Sequence, residues 1–126
     1  MIAVDTSALL AVALYEPQAP ACATALKSDE LIISAVTLAE ALVVASRRGV
    51  GFQFGSLLDG LDYSVISVSQ STAERIAQIY GRWGKGIHPA ALNLGDCFAY
   101  DVAKEHSCRL LYVGEYFSKT DIESVL

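Results

Sequence analysis

The sequence predicts an α/β protein in which helices cover both faces of a central parallel sheet. Short runs rich in apolar and β-forming residues recur at Ile2–Val4, Leu31–Ile33, Tyr63–Val68 and Arg109–Val113. The segments between these runs carry helix-type patterns, and strands that alternate with helices form parallel sheets. No repeat, linker or low-complexity tract interrupts the chain, so we expect residues 1–126 to form one domain.

Residues that begin or end helices mark the elements in the first half of the chain. Proline fits the first turn of a helix but cannot continue one, so two nearby prolines predict that one helix ends and another begins. A serine directly after the second strand predicts an N-cap, and a later glycine predicts a helix end. We therefore predict helices at about Ala8–Tyr15, Ala19–Lys27, Ser34–Arg48 and Phe52–Leu61, delimited by Pro17, Pro20, Ser34 and Gly49.

Two capping patterns mark the helices in the second half. The segment Ser71–Glu74 has the capping-box pattern and predicts the start of a helix that reaches about Trp83. Asn93 predicts the N-cap of a helix that reaches about His106. The loop Gly84–Pro89 between them lacks the P-loop pattern. Three basic side chains in or just before this loop are candidates either for phosphate contacts or for simple solvation, namely Arg82, Lys85 and His88.

Composition and charge limit the classes of function. The net charge of −5 argues against a non-specific nucleic-acid binder, which would need a basic face. It is compatible with an enzyme whose acidic residues bind cations and meet phosphates through them. With 53% hydrophobic and 18% charged residues, the chain has an apolar excess that predicts either a large core or an apolar surface for a partner.

Targeting signals and cysteine usage point to the cytoplasm. No apolar run is long enough to span a membrane, and the N-terminus lacks the basic region of a signal peptide. The three cysteines, Cys22, Cys97 and Cys108, are odd in number and contain no C-x-x-C pair. We therefore predict a cytoplasmic protein with reduced cysteines that serve as small hydrophobic residues.

Asp5 ends the first strand and is the first candidate site residue. Ligands bind outside the carboxyl ends of strands in open α/β sheets, and a carboxylate buried there is costly unless it is paired. Asp5 could instead be an N-cap or a solvated strand end. Because Thr6 or Ser7 could cap the next helix, we favour a functional Asp5.

Glu40 and Asp96 each allow two interpretations. Thr37 and Glu40 have capping-box spacing, but Ser34 competes as the N-cap, which would place Glu40 in the second turn of an apolar helix. Asp96 stands three residues after Asn93, where an acid also favours a helix start. Neither residue decides between structure and function by itself.

Together the three acids predict a metal site. Each lies at, or within two turns of, a point where a strand feeds a helix, so they should converge on one crevice at the carboxyl edge of the sheet. Carboxylates in one crevice repel one another, so a proton or a cation must bind. Ligation by oxygen alone suits Mg²⁺ or Mn²⁺, and such a site can polarise a phosphodiester and activate water.

With these residues identified, the sequence resembles the PIN-domain ribonucleases, specifically the VapC-type toxins of bacterial toxin–antitoxin pairs. The resemblance spans nearly the whole chain. The individual motifs are short, and their order makes them specific. They are Val4–Leu9, Ile33–Glu40, Gly84–Ala90, Leu92–Tyr100, Leu110–Gly114 and Phe117–Ile122.

The resemblance implies a PIN-like three-layer α/β/α fold with a central parallel sheet of four or five strands. It implies an endoribonuclease that depends on Mg²⁺ or Mn²⁺, forms a homodimer and binds a cognate antitoxin, with RNA as substrate and no membrane contact. It assigns catalytic roles to Asp5, Glu40 and Asp96, and a supporting hydroxyl to Thr6 or Ser7. Of the acids, we expect Asp5 and Asp96 to hold the metal.

One departure from the family pattern concerns the tail. The family usually has an acid directly before the phenylalanine of the tail motif, where this chain has Tyr116 and places Glu115 one residue earlier. Neighbours in an extended segment point to opposite sides, so we expect a solvated Glu115 and a Tyr116 that lines the crevice and donates a hydrogen bond to a carboxylate or water.

Two other functions compete with cleavage of RNA. The Tyr116 departure would suit a PIN-like module that retains antitoxin binding but cleaves weakly or not at all. A phosphotransferase with Asp5 as nucleophile is the third candidate, although the second acid of a D-x-D arrangement is missing.

Overall fold

The computed structural model describes all residues, 1–126. Two helices follow each of the first three strands, which gives six α-helices and four strands, and a short 3₁₀ turn follows at Phe117–Lys119. The strands are β1 (Ile2–Val4), β2 (Leu31–Ser34), β3 (Tyr63–Ile66) and β4 (Arg109–Leu111). The helices are α1 (Thr6–Ala13), α2 (Ala19–Ser28), α3 (Ala35–Arg47), α4 (Gly51–Asp59), α5 (Gln70–Trp83) and α6 (Leu94–Glu105).

The strands form one parallel sheet in the order β3-β2-β1-β4. The central strand β1 pairs with β2 through Ala3 and Ile32 and with β4 through Ala3 and Leu110. The pairing extends one residue past β1, because the amide of Asp5 donates to the carbonyl of Leu111 at 3.0 Å. Asp5 is therefore fixed at the carboxyl edge in the middle of the sheet.

Two apolar clusters cover the two faces of the sheet. One joins Ile2, Val4 and Ile33 to residues of α1–α4, and the other joins Ala3, Ile32 and Leu110 to residues of α5 and α6. Alternate residues of the same strands enter opposite clusters, which is why these strands are apolar throughout. The predicted three-layer α/β/α fold with a central parallel sheet is confirmed, with four strands.

Helix α5 begins differently from the prediction. Its N-cap is Ser69, whose hydroxyl accepts from the amide of Thr72 while the Thr72 hydroxyl accepts from the Ser69 amide. The predicted box of Ser71 and Glu74 does not form, because the helix starts one residue before Ser71. Strands β3 and β4 also end two residues earlier than predicted.

Other features of the chain follow its composition. No helix is long and apolar enough to cross a membrane. None of the three cysteines is paired; Cys22 and Cys97 are buried and Cys108 is half-buried. Besides the two cores, several large apolar side chains stay exposed, among them Leu42, Val43, Phe52 and Val65.

Candidate active site

An open cleft of about 270 Å³ lies at the carboxyl edge of the sheet. The three predicted acids reach it from different elements, since Asp5 follows β1, Glu40 belongs to α3 and Asp96 belongs to α6. The complete lining is Asp5, Thr6, Ser7, Leu10, Glu40, Asp96, Val113, Tyr116 and Phe117. The structure thus brings Asp5, Glu40 and Asp96 together as the sequence suggested.

Asp5 is held in place by Ser7. It is only 5% exposed, and its Oδ2 accepts from the Ser7 amide at 3.1 Å and from the Ser7 hydroxyl at 2.6 Å. The Ser7 hydroxyl in turn accepts from the amide of Val113 at 3.0 Å, so the chain beyond β4 braces the pair. Asp5 itself is therefore the N-cap of α1, which corrects the expectation that Thr6 or Ser7 would cap this helix.

Burial raises the pKa of Asp5 to about 6. The two hydrogen bonds from Ser7 act in the opposite direction, and the charges of Asp96 and Glu40 raise the pKa further. A carboxylate in this position holds its charge at a cost, which a proton or a cation would offset.

The two hydroxyls after Asp5 have different tasks. Thr6 is buried and its Oγ1 donates to the carbonyl of Thr37 at 3.2 Å, which ties α1 to α3. Ser7 is the hydroxyl that contacts Asp5. The Thr37 hydroxyl is buried without a partner, and Ser34 caps α3 by accepting from the Val36 amide, so the capping-box interpretation of Thr37 is wrong.

Asp96 combines the two interpretations that the sequence left open. Its Oδ2 accepts from the Asn93 amide at 2.9 Å, and its own amide donates to Asn93 Oδ1 at 2.8 Å, which completes a capping box. The same side chain lines the cleft. Burial raises the pKa of Asp96, the Asn93 hydrogen bond lowers it, and the charge of Glu40 raises it further.

Glu40 lies in the second turn of α3, half-buried, with its carboxylate against the first turn of α6. A Cβ atom on Gly95 would stand 2.5 Å from Glu40 Oε2 and 3.2 Å from its Cδ. Only glycine at position 95 leaves room for this carboxylate. Sequence reasoning missed Gly95, although a glycine in the first turn of a helix is a signal, because glycine disfavours helix by about 1 kcal/mol relative to alanine.

The tail places Tyr116, and not Glu115, at the cleft. Glu115 and Tyr116 are both exposed, and only Tyr116 is part of the lining. The backbone at Tyr116 is helical, with φ −62° and ψ −54°, so the expectation of an extended segment is wrong. No hydrogen bond joins the Tyr116 hydroxyl to Asp5 or Asp96. The Asp5 carboxylate is bonded to Ser7, and the Asp96 carboxylate is bonded to Asn93.

The donor set suits a hard cation without forming a closed metal site. No three Asp, Glu, His or Cys side chains stand close enough to hold a metal ion as they are. The hydrogen bonds of Asp5 and Asp96 use Oδ2 in each case, which leaves Oδ1 of both for a ligand. Carboxylate oxygens and water are the ligands that Mg²⁺ and Mn²⁺ take, and Mg²⁺ keeps several waters when one or two carboxylates bind it.

Comparison with known proteins identifies the family. A model of the PIN domain matches residues 2–123. The chain belongs to the PIN-domain family. It is 36% identical to Ribonuclease VapC of Mycolicibacterium smegmatis over 126 residues, which cover 97% of this chain and 98% of that protein. The predicted resemblance to VapC-type PIN-domain proteins is confirmed.

Solved structures share the fold at lower identity. VapC20 of Mycobacterium tuberculosis, described as a toxin that cleaves the sarcin–ricin loop, superposes with a TM-score of 0.79 and 17% identity over 99% of this chain and 98% of that chain. A chain from a toxin–antitoxin complex of Klebsiella pneumoniae gives a TM-score of 0.73 and 20% identity over 96% and 93% of the two chains. At identities of 17% and 20%, these superpositions show that the fold is shared and nothing further.

Proposed function

We propose that this chain is a VapC-type endoribonuclease, the toxin of a type II toxin–antitoxin pair, and that it depends on Mg²⁺ or Mn²⁺. The observation that carries the proposal is the convergence of Asp5, Glu40 and Asp96 on one cleft. The relative from Mycolicibacterium smegmatis, which aligns over nearly the whole chain, is named a ribonuclease. The raised pKa values of Asp5 and Asp96 are those of carboxylates that a bound cation would stabilise.

Each acid has a task in hydrolysis of a phosphodiester. Asp5, held by Ser7, and Asp96, held by Asn93, would bind the cation through the oxygens that the protein leaves unused. The cation would supply Lewis acidity, which activates water and offsets charge on the phosphate. The Glu40 carboxylate lies beside them and can accept a proton as the water oxygen bonds to phosphorus and the bond from phosphorus to the leaving ribose oxygen breaks.

Two partners belong to this proposal. The cognate antitoxin would cover the cleft with a segment that carries Arg or Lys, because acidic side chains attract cationic ones and these would compete with the metal. A homodimer would cover part of the exposed apolar surface, to which Leu42, Val43 and Phe52 contribute. A monomer at micromolar concentration in light scattering would contradict the homodimer.

The alternative of a PIN-like module without cleavage is not favoured. Its support is Tyr116 in place of an acid, yet Asp5, Glu40 and Asp96 are all present at the cleft. Nothing in the cleft favours the phosphotransferase.

The test is cleavage of mixed cellular RNA during a titration with Mg²⁺ or Mn²⁺. We expect cleavage that requires the cation, stops in EDTA and is lost in Asp5→Asn. Asp59→Asn is a matched control, because Asp59 is an exposed acid at the end of α4. Cleavage that persists in EDTA would exclude the metal mechanism, and full activity of Asp5→Asn would exclude this site.

A further inference from the structure

A second groove of about 230 Å³ continues from the acidic cleft. It shares Asp96 and Tyr116 with the cleft and extends to Lys85, Ala91 and Asn93. A ligand that reaches the acids can therefore continue along the surface past Tyr116 to Lys85.

The loop that carries Lys85 is braced at its base. The Lys85 amide donates to the carbonyl of Leu92 at 2.9 Å, and the Leu92 amide donates to the carbonyl of Trp83 at 3.1 Å. Gly84 packs so tightly against the end of α5 that a Cβ atom there would stand 2.4 Å from the carbonyl oxygen of Tyr80. Lys85 thus extends from a backbone that is hydrogen-bonded to Leu92 and packed against the end of α5.

The groove wall contains a strained residue. Ala91 has φ +51°, a left-handed conformation that costs a residue with a Cβ about 1–2 kcal/mol. Its amide donates to the carbonyl of His88 at 2.9 Å, and the His88 ring meets the Trp83 ring edge to face at 4.7 Å. Strain that the surrounding contacts maintain clusters at ligand sites, which makes this wall a candidate for one.

The side chains of the groove complement a nucleotide. Lys85 is the only cationic residue that lines either opening, where the acids would otherwise repel the phosphates of RNA. A lysine ammonium binds phosphate as a point charge. Tyr116 is 61% exposed beside it, and an exposed aromatic ring stacks with bases of single-stranded RNA.

We propose that this groove binds the segment of single-stranded RNA next to the phosphodiester that is cleaved. Lys85 contacts a backbone phosphate, and Tyr116 stacks on a neighbouring base. This proposal rests on the proposed ribonuclease function and assigns to Tyr116 a task that its replacement of an acid had left without explanation. Stacking tolerates different bases, so the groove contributes affinity more than sequence choice.

The test measures binding of a short fluorescent single-stranded RNA to full-length protein in the Asp5→Asn background, which prevents cleavage. We expect Tyr116→Ala to weaken binding about 5- to 150-fold, the range that loss of one stacked base gives, and Tyr116→Phe to bind as Tyr116 does. Lys85→Ala should weaken binding. It should also make the negative slope of log affinity against log salt shallower by about 0.7, which corresponds to the loss of one phosphate contact. Lys27→Ala and Tyr15→Ala change exposed residues of the same types at the end of α2 and just after α1, and should bind normally.

Three results would overturn the proposal. If Lys85→Ala and Tyr116→Ala bind RNA as tightly as the controls, the RNA does not use this groove, and the ribonuclease function survives if the unsubstituted chain still cleaves. If Lys27→Ala loses as much affinity as Lys85→Ala, the binding is diffuse electrostatics. If the unsubstituted chain neither cleaves nor binds RNA with Mg²⁺ or Mn²⁺ present, the proposed function fails together with the groove.

Discussion

At the scale of single residues, a structural task does not prevent the acids of this cleft from binding a ligand. Asp5 caps α1 through Oδ2, and Asp96 completes the capping box of α6 by accepting from the amide of its N-cap Asn93 through Oδ2. Each cap fixes the direction of the carboxylate and leaves Oδ1 for a ligand. The choice between a capping role and a functional role, which the sequence posed for both residues, is therefore not exclusive.

Gly95→Ala should lower cleavage without loss of stability. Alanine favours helix over glycine by about 1 kcal/mol, but its Cβ would displace the Glu40 carboxylate, which can rotate away at little cost. We expect an unchanged or raised free energy of unfolding and a cleavage rate at least about tenfold lower, since general-base catalysis contributes about 10²- to 10⁴-fold.

The matched control for this substitution is Gly81→Ala, because Gly81 lies within α5 and a Cβ atom there meets nothing within 4 Å. Gly81→Ala should stabilise the protein and leave cleavage unchanged. In the Gly95→Ala background, Glu40→Asp shortens the displaced side chain and should cost less activity than it does alone. Full cleavage by Gly95→Ala would refute a positioning role for Gly95.

At the scale of elements, local sequence predicted the starts of two helices correctly, although Thr37 competed with Ser34 at one of them. Ser34 and Asn93 are the N-caps of α3 and α6 as predicted. The prediction failed at α5, where Ser69 and Ser71 both fit and Ser69 forms the capping box with Thr72. It failed again at α1, where Asp5 caps although two hydroxyl residues follow it.

What the sequence could not supply were contacts between distant segments. The brace from Val113 to Ser7 and the space that Gly95 leaves for Glu40 join residues far apart in sequence, and no local pattern records them. The orientation of Tyr116 was argued for an extended tail, and the helical backbone at that residue was therefore missed. The topology, in contrast, was predictable, because continuous apolar strands that alternate with helices admit few arrangements.

Asp96→Asn tests whether Asp96 serves in cleavage as well as at the start of α6. An asparagine at this position can still accept from the Asn93 amide, so the cap survives, and the loss of a charge near the helix start costs only about 0.3–1 kcal/mol. Relief of a buried charge opposes that loss. We expect a free energy of unfolding within about 1 kcal/mol of the original and no cleavage. Full activity would show that Asp96 is only a helix-start acid.

The pairing of α5 with α6 offers a test of stability remote from the cleft. Arg75 holds the buried Asp101 with two hydrogen bonds, at 2.7 and 3.1 Å, and also contacts the exposed Glu105. Arg75→Ala would leave Asp101 buried without its partner. We expect a loss of about 2–3 kcal/mol, below the 3–5 kcal/mol of fully buried pairs because Arg75 is itself 35% exposed.

Glu105→Ala is the comparison for that substitution. It removes the exposed partner of the same arginine, and exposed ion pairs contribute about 0–1 kcal/mol. Unfolding by urea should separate the two variants, while RNA cleavage at saturating Mg²⁺ should be the same for both. Equal destabilisation by the two substitutions would contradict a special contribution from the hydrogen bonds between Arg75 and the buried Asp101.

At the scale of the whole molecule, the fold stabilises a cleft that is itself unfavourable without a ligand. Apolar clusters on both faces of the sheet fix β1, and Asp5 follows directly at the edge. The apolar excess of the sequence is accounted for by these two cores and by large side chains that remain exposed. The carboxylates at the cleft oppose this stability, because burial disfavours their charged forms.

The last prediction concerns the pH dependence of stability in EDTA. The pKa of Asp5 is 3.8 ordinarily and about 6 in the folded chain, so between these values the folded state binds more protons than the unfolded state. The Asp5 contribution to the free energy of unfolding therefore falls as pH rises from about 4 to 6, by an amount of order 3 kcal/mol for a shift of this size. Asp29 and Asp121, whose pKa values are lowered, act in the opposite direction below that window.

Comparison with Asp5→Asn isolates the contribution of Asp5 from those of the other acids. In urea unfolding with EDTA, the variant should be more stable than the original chain at pH 7.5, and this advantage should shrink towards pH 4.5. Mg²⁺ should raise the Tm of the original chain by mass action, more at pH 7.5 than at pH 5 because protons compete for the same oxygens, and should raise that of Asp5→Asn little. Asp62→Asn, an exposed acid before β3, should behave as the original chain does. An original chain that is as stable as Asp5→Asn at pH 7.5, with no Mg²⁺-dependent shift, would mean that Asp5 carries no buried charge that a cation relieves.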